Sequence, residues 1–429
     1  MLGRWRADAV NLVALTCLQA SNAVIPLLIV PIAIARLGPA SYAGVAIAEA
    51  VSMIAVAVVL YSFEIDGVAR ITGLKLAEHR DEMSDALSAI LTARLLLFAG
   101  AAAVLLAGFA LLSPLPPVLL AYWLLVPLGY ALHSYWFYQG VERNIAPAAL
   151  TLAARLSSLI LVLLFVRSPA DRELVPLAIG GPFAAAGLAS LAYKSAAYGL
   201  RPRWAGPGPV GEYLRHGRQI FAGTGAVMLY REINVLLMSV AGVSAAAIGS
   251  YALVEKSIKM VQAVTRPLTQ LFFPKVLRAL QGRARPDGDA ARVIGRFTAP
   301  QLAAVSAVLL VLWLGYDRLA PYSATLRRFG ELPGVATLFA IVAPAPLLGL
   351  ANFMWGSAGL NFLNERAYLL RAILVTGVVS VPACLFLSGL FGAIGAAVCF
   401  VGAEALLFVM IMYRYRGARP LVTNAEVVS

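Results

Sequence analysis

The chain has 429 residues, of which 61% are hydrophobic and only 13% charged, and its formal net charge is +13; its mean hydropathy is +0.83. A soluble domain carries roughly 25% charged residues, so this composition cannot cover a water-facing surface. It describes a polytopic membrane protein, for which counting domains by soluble length has no meaning.

About twelve apolar segments of spanning length follow one another. They fall at 10–34, 41–63, 89–112, 118–140, 146–166, 174–197, 219–241, 247–272, 297–318, 335–360, 369–389 and 392–413. Gly/Pro turns such as Leu37-Gly38-Pro39 and Ser113-Pro114-Leu115-Pro116-Pro117 separate them. The first segment is too long for the apolar core of a signal peptide and reads as a retained helix.

Placing the N-terminus in the cytoplasm puts twenty-two Lys and Arg, Lys194 among them, on the inside. Only Arg36, Arg167, Arg172, Arg318, Arg327 and Arg328 are then outside. That asymmetry predicts two cytoplasmic termini. It also accounts for the basic charge through the anionic cytoplasmic leaflet, with no nucleic-acid partner.

The chain also reads as doubled. Gly199 to Gly211 is a Pro/Gly- and Arg-rich break after six spans, and Arg36–Gly44 with Glu49 weakly resembles Gly242–Ser250 with Glu255 at an offset of 206. The expectation is an all-α integral membrane protein of two pseudo-symmetric six-helix lobes. The lobes are 1–198 and 219–429, with a cytoplasmic linker at 199–218. An even number of spans per repeat gives parallel repeats. Two such bundles leave a cavity between them, walled by spans 1, 2, 7 and 8, while spans 6, 10 and 11 carry no mid-span charge and read as scaffold.

Ile248 to Lys275 carries the strongest signal. On a helix, Tyr251, Glu255, Lys259, Gln262, Arg266 and Thr269 form one polar stripe on an otherwise apolar span. A charge facing lipid at the bilayer centre costs about 2.5–3.5 kcal/mol on insertion scales. The stripe therefore faces a wet cavity or protein partners, the alternative being an amphipathic helix lying in the interface. Arg155, Arg231, Lys256 and Lys259 are cations near mid-span, and Glu49, Glu232, Glu255 and Glu404 are intramembrane carboxylates. Arg94 and Arg266 sit near span ends, from which they can snorkel. The mid-span charges either lock helices together in pairs or form a central site for an anionic group. The cysteines Cys17, Cys384 and Cys399 lie in apolar segments, and the three histidines show no metal-ligand spacing. No nucleotide-binding loop occurs, and no cofactor is expected. The outside connections are short and poor in carboxylates, which argues against a glycan polymerase or transferase.

Four local patterns occur in order. Arg36-Leu37-Gly38 leads to Tyr42-Ala43-Gly44. Tyr61-Ser62-Phe63 is followed by Arg70. Trp136 to Arg143 reads WFYQGVER. Gly249-Ser250-Tyr251 runs through Glu255-Lys256 to Pro267-Leu268-Thr269-Gln270 and Phe273-Pro274-Lys275. Together they resemble the polysaccharide-transporter branch (Wzx-type O-antigen flippases) of the multidrug/oligosaccharidyl-lipid/polysaccharide exporter superfamily, from about Asn11 to Arg416. Departures are Ser62 in place of Gly, the acidic Glu64 and Asp66, and Ala252-Leu253-Val254 before Glu255.

The resemblance implies a flippase of the bacterial inner membrane. Such a protein moves undecaprenyl-diphosphate-linked oligosaccharide units by alternating access, for O-antigen, capsule or exopolysaccharide synthesis, beside a polymerase and a chain-length partner. A lipid II flippase or a multidrug exporter of the same superfamily is the alternative. The diphosphate calls for cations, here Arg155, Arg231, Lys256 and Lys259. Tyr230, Tyr251, Gln262, Asn234, Asn22 and Gln19 are candidates to line a sugar path. Glu49 and Glu255 are candidates for coupling or for ion pairs.

Overall fold

The computed structural model describes residues 28–281, 286–319 and 334–416, together with Ala14, Cys17, Leu18, Ser21, Asn22, Ile25 and Pro26. For residues 263–268, 270, 271, 274, 316, 317 and 319 it describes the backbone alone. Among the described residues every regular element is helical.

In the first half, α1 (Leu28–Leu37) meets α2 (Pro39–Leu60) at Gly38, whose φ of 77° turns the chain. Pro39, in the first turn of α2, lacks only a donor that a helix start leaves free anyway. Tyr61 then takes φ 47°, and α3 (Phe63–Ile71) continues at an angle. There follow α4 (Arg80–Leu112), α5 (Pro117–Trp123), α6 (Leu125–His133), α7 (Tyr135–Gly140), α8 (Ile145–Phe165), a short 3-10 turn and α9 (Leu174–Tyr198). The expected fourth span is thus three pieces, because Leu124 interrupts it and Ser134 adopts a left-handed conformation.

The second half contains α10 (Pro207–Arg231), α11 (Asn234–Val240), α12 (Ala245–Ala279), α13 (Gly288–Leu319), α14 (Val335–Val342) and α15 (Ala345–Ala351). A π-helical turn at Asn352–Leu360 precedes α16 (Arg366–Phe391) and α17 (Ala393–Arg416). Helices α10 and α11 meet at a bend of 58°. Because α10 begins at Pro207, the stretch 207–218, expected as linker, is helical.

Nine helices among the described residues are long and apolar enough to cross a membrane, or ten when the bent pair is one span. Two of the twelve expected spans fall outside that set. The first lies largely outside the described residues. The eighth is α12, which is 35 residues long but carries the charged stripe. Large apolar side chains such as Leu111, Leu112, Phe386 and Leu390 are exposed, as suits helices bathed in acyl chains rather than water.

Within the first half, α6 packs on α9 and α8 on α9; within the second, α16 packs on α17 and α10 on α16. The halves meet chiefly along α2 and α12. Two glycines allow close approach at the two ends of α2. A Cβ at Gly249 of α12 would collide with the Pro39 carbonyl at the start of α2, and a Cβ at Gly217 of α10 would collide with the Ser62 side chain just past its end. At that second end the Tyr61 hydroxyl donates to the Leu214 carbonyl at 2.7 Å, and the Tyr61 ring stacks on Phe221 at 4.6 Å.

Two cations are placed differently from expectation. Arg94 does not snorkel: it is fully buried and paired with Glu64 at 2.6 Å. Lys194 is not a loop cation facing the leaflet, for its ammonium is buried in the first bundle and donates to the His133 carbonyl at 2.7 Å. The break at Ser134 explains this, since it leaves the His133 carbonyl free to accept from a side chain.

Candidate functional site: a charged cavity between the two halves

Four helices converge on a cavity of about 230 Å³. Asn22, Pro26 and Val30 line it from the first span. On α2, Ala46, Glu49, Ala50 and Met53 line it, and Glu232 and Val235 come from the bend between α10 and α11. From α12 come Ala252, Glu255, Lys256, Lys259 and Met260. The α12 residues are spaced three, one, three and one, which is one face of a 3.6-residue helix. That face is rotated from the stripe expected, so that Tyr251 turns into the core and is fully buried. A smaller cavity of about 110 Å³ adjoins it and shares Pro26, Val30, Glu49, Met53 and Lys256; its far wall holds Tyr42, Trp123, Tyr130 and Arg155.

The charges in this region are almost all paired. Lys256 donates to Glu49 of α2 and to the Tyr42 hydroxyl. Lys259 reaches Glu232 at 2.9 Å and Glu255, one turn back on its own helix, at 3.4 Å. Arg231 turns away from both cavities, and its Nε donates to Glu404 of α17 at 2.7 Å. Asn352, at the start of the π-helical turn, donates to the other Glu404 oxygen at 2.8 Å.

Arg155 alone of the four cations makes no ion pair among the described residues. Its Nε donates to Asn22 Oδ1 at 3.0 Å, and its guanidinium lies 4.5 Å over the Phe183 ring. An Arg over an aromatic face is held in place yet keeps donors for an incoming oxyanion.

The expected site residues therefore divide. Arg155, Lys256, Lys259, Glu49, Glu255 and Asn22 line one cavity or the other. Tyr230, Tyr251 and Asn234 are buried and line neither. Gln262 and Arg231 approach Gly349, where a Cβ would lie 3.1 and 3.2 Å from their nitrogens. Gln19 and the side chain of Arg266 lie outside the described residues. Tyr42, Met53 and Trp123 were not anticipated. Tyr42, Ala46, Glu49 and Met53 recur at steps of four, three and four, the same helical signature that singled out α12. No group of His, Cys, Asp and Glu among the described residues could hold a metal ion.

The fold has counterparts of known structure. An inward-facing multidrug resistance MATE family transporter of the MOP superfamily superimposes with a TM-score of 0.64 at 15% identity, covering 94% of this chain and 96% of that one. The Vibrio cholerae MATE transporter VcmN gives 0.55 at 14% identity over 97% of both chains. The protein thus has the fold of a multi-pass membrane transporter of the MATE type.

Residues 9–278 match the family described as Polysaccharide biosynthesis protein, and the chain belongs to that family. It is also 22% identical over 426 residues, 96% of this chain and 97% of the other, to a protein of Escherichia coli (strain K12) described as "Putative O-antigen transporter".

Proposed function

We propose that the protein translocates undecaprenyl-diphosphate-linked oligosaccharides across the bacterial inner membrane by alternating access, supplying units for surface polysaccharide. The observation that carries this reading is the placement of Lys256 and Lys259 on the cavity wall between the halves, with Arg155 facing the adjoining space. A diphosphate diester needs cations where water is scarce, and these are contributed from both halves. Lys supplies compact charge and Arg a planar fork for phosphate oxygens. The family membership and the name borne by the Escherichia coli relative support a saccharide-pathway cargo.

Cavities of about 230 and 110 Å³ fall below the roughly 300–1,000 Å³ of ordinary ligand pockets. An oligosaccharide enters only if the halves part. The close approaches at Gly249 and Gly217 stand at opposite ends of α2, and opening one while the other holds exposes the charged face to one side at a time. The lipid tail stays in the bilayer, so only the head needs a polar path. Under the predicted orientation the Gly217 closure faces the cytoplasm.

A drug exporter of the same fold is the second reading. Its cargo is often cationic and would be served by an acidic cavity, whereas here Lys256 and Lys259 offset the carboxylates. Gene deletion followed by chemical analysis of accumulated lipid-linked intermediates tests the proposal. Accumulation of a diphosphate-linked oligosaccharide on the cytoplasmic side supports it; unchanged intermediates and normal surface polysaccharide refute it.

A further inference from the structure

The smaller cavity is a recess into the first half. Of the described residues that line it, only Lys256 comes from the second half; the others lie between positions 26 and 179. It adjoins the larger cavity along Glu49, Met53 and Lys256, which line both. The two cavities differ in their walls. No aromatic side chain among the described residues lines the larger one, whereas Tyr42, Trp123 and Tyr130 line the recess.

These rings are held from behind. Trp123, Val126 and Tyr130 recur at steps of three and four, one face of a helix, carried here across the interruption at Leu124. The Trp123 Nε1 donates to the Val45 carbonyl of α2 at 3.0 Å. The Tyr130 ring stands at 65° to Phe183, with centroids 4.9 Å apart. The Tyr130 carbonyl is left without a helical donor by the left-handed Ser134 four positions on, and it accepts from Arg94 at 3.3 Å. Both Phe183 and Arg94 are fully buried. The Tyr42 hydroxyl accepts from Lys256 at 3.2 Å.

This wall has the chemistry of a saccharide site. A pyranose ring has an apolar C–H face that packs on an aromatic ring, and a rim of hydroxyls that needs donors and acceptors. Tyr42, Tyr130 and Arg155 supply donors here, and Glu49 supplies an acceptor. A prenyl chain would instead strand Glu49, Arg155 and Lys256 against hydrocarbon. At roughly 10–15 Å³ per water, the 110 Å³ of the recess holds several waters, about what one sugar ring displaces and far less than an oligosaccharide. Arg155 bonds Asn22, which lines the larger cavity, and Lys256 lines both, so the two cations of the recess reach the junction. A diphosphate held there leaves one ring within reach of the aromatic wall: the ring bonded to it.

We propose that the recess binds the sugar joined directly to the cargo diphosphate, with its ring packed on Trp123 and Tyr130 and the diphosphate between Arg155 and Lys256. The first half then reads the sugar, while the second half contributes charge. Sugars further along the chain stay in the space that opens when the halves part. The inference rests on the diphosphate reading above and adds the residues that choose among sugars.

The test uses full-length protein in lipid nanodiscs and two kinds of probe. One is farnesyl diphosphate carrying N-acetylglucosamine, N-acetylgalactosamine, glucose or galactose. The other is the methyl ester of farnesyl diphosphate, which keeps the diester charge and lacks the ring. Wild type is expected to bind at least one sugar compound several-fold more tightly than the methyl ester. Trp123→Leu and Tyr130→Leu are expected to bind that compound and the methyl ester alike, with methyl-ester affinity unchanged. Val126→Phe removes no contact and fills the recess, and it is expected to give the same result with an unchanged thermal midpoint. Equal binding of all probes by wild type, or a sugar preference that survives in Val126→Phe, overturns the recess as a sugar site and leaves the diphosphate reading intact. Equal weakening of every probe by Val126→Phe also overturns it, since the recess would then hold a part that all probes share. Absence of binding of any probe by wild type removes both readings.

Discussion

Lys256 of α12 donates to Glu49 of α2 across 207 positions of sequence, and this pair fastens one half of the chain to the other at the wall of the central cavity. Its partners are each about a fifth to a quarter exposed, so water can replace either when the helices part. A wholly dry pair would resist separation far more, because opening it strands an unsolvated charge. The pair is therefore placed to be exchanged rather than merely to hold.

Lys256→Met is expected to abolish export of surface polysaccharide, and Lys256→Met/Glu49→Gln to leave it abolished while restoring any lost protein. In the double variant both charges are gone, so no orphan remains to destabilise the fold. Immunoblots of membranes beside surface-polysaccharide gels read both quantities. Export by the double variant would show that Lys256 serves packing alone.

Arg155 makes no ion pair among the described residues, and its guanidinium rests on Phe183. Arg155→Met keeps most of the apolar stem and removes the charge. The expected result is a ten-fold or greater loss of affinity for a diphosphate-linked sugar, equivalent to about 1.4 kcal/mol, with little change in thermal midpoint. Arg155→Lys recovers only part, since it lacks the planar fork. Titration of purified variants checks this, and unchanged affinity in Arg155→Met would remove Arg155 from the site.

The two glycine closures make separate predictions. Ser62→Cys/Gly217→Cys places two thiols where α10 meets the end of α2. Oxidation is expected to arrest export, and reductant to restore it. Gly249→Val, at the other end, is expected to hold the halves apart beside Pro39 and make cavity positions such as Met53 reactive to a membrane-impermeant thiol reagent once changed to Cys. Export undisturbed by the cross-link would mean that this end does not open during transport.

Arg94 tests a structural role against a transport role. Its side chain is 0% exposed and its carboxylate partner is Glu64. Arg94→Ala leaves a void among buried side chains and takes the partner from Glu64, which is 31% exposed and can turn to water, a change that costs about 1–3 kcal/mol. Protein levels in the membrane are expected to fall before any transport defect per molecule is seen. Normal levels with lost export would instead make Arg94 part of the transport path.

Much of this architecture is legible in the residues. Long apolar runs mark the spans because lipid tolerates no other surface, and the polar faces of α2 and α12 stand out because charges at 3.6-residue spacing have few places to go in a bilayer. What periodicity does not reveal is rotation and pairing. Tyr251 belongs to the polar stripe by spacing, yet it turns into the core, because the cavity face runs along Ala252, Glu255, Lys256 and Lys259. Arg231 sits at mid-span by counting, yet the bend after α10 aims it at Glu404 of α17, a contact spanning 173 positions that no local pattern encodes. Lys194 reads as a loop cation until the break at Ser134 supplies a free carbonyl for it.

The most direct measurement is transport by the purified protein in liposomes of a fluorescent prenyl-linked sugar carrying either a diphosphate or a neutral linkage, with wild type beside Lys256→Met and Lys259→Met. The account predicts that wild type moves the diphosphate-linked sugar to the opposite leaflet, leaves the neutral compound behind, and loses this preference in both variants. Equal transport of the two compounds by wild type, or undiminished preference in the variants, would contradict it.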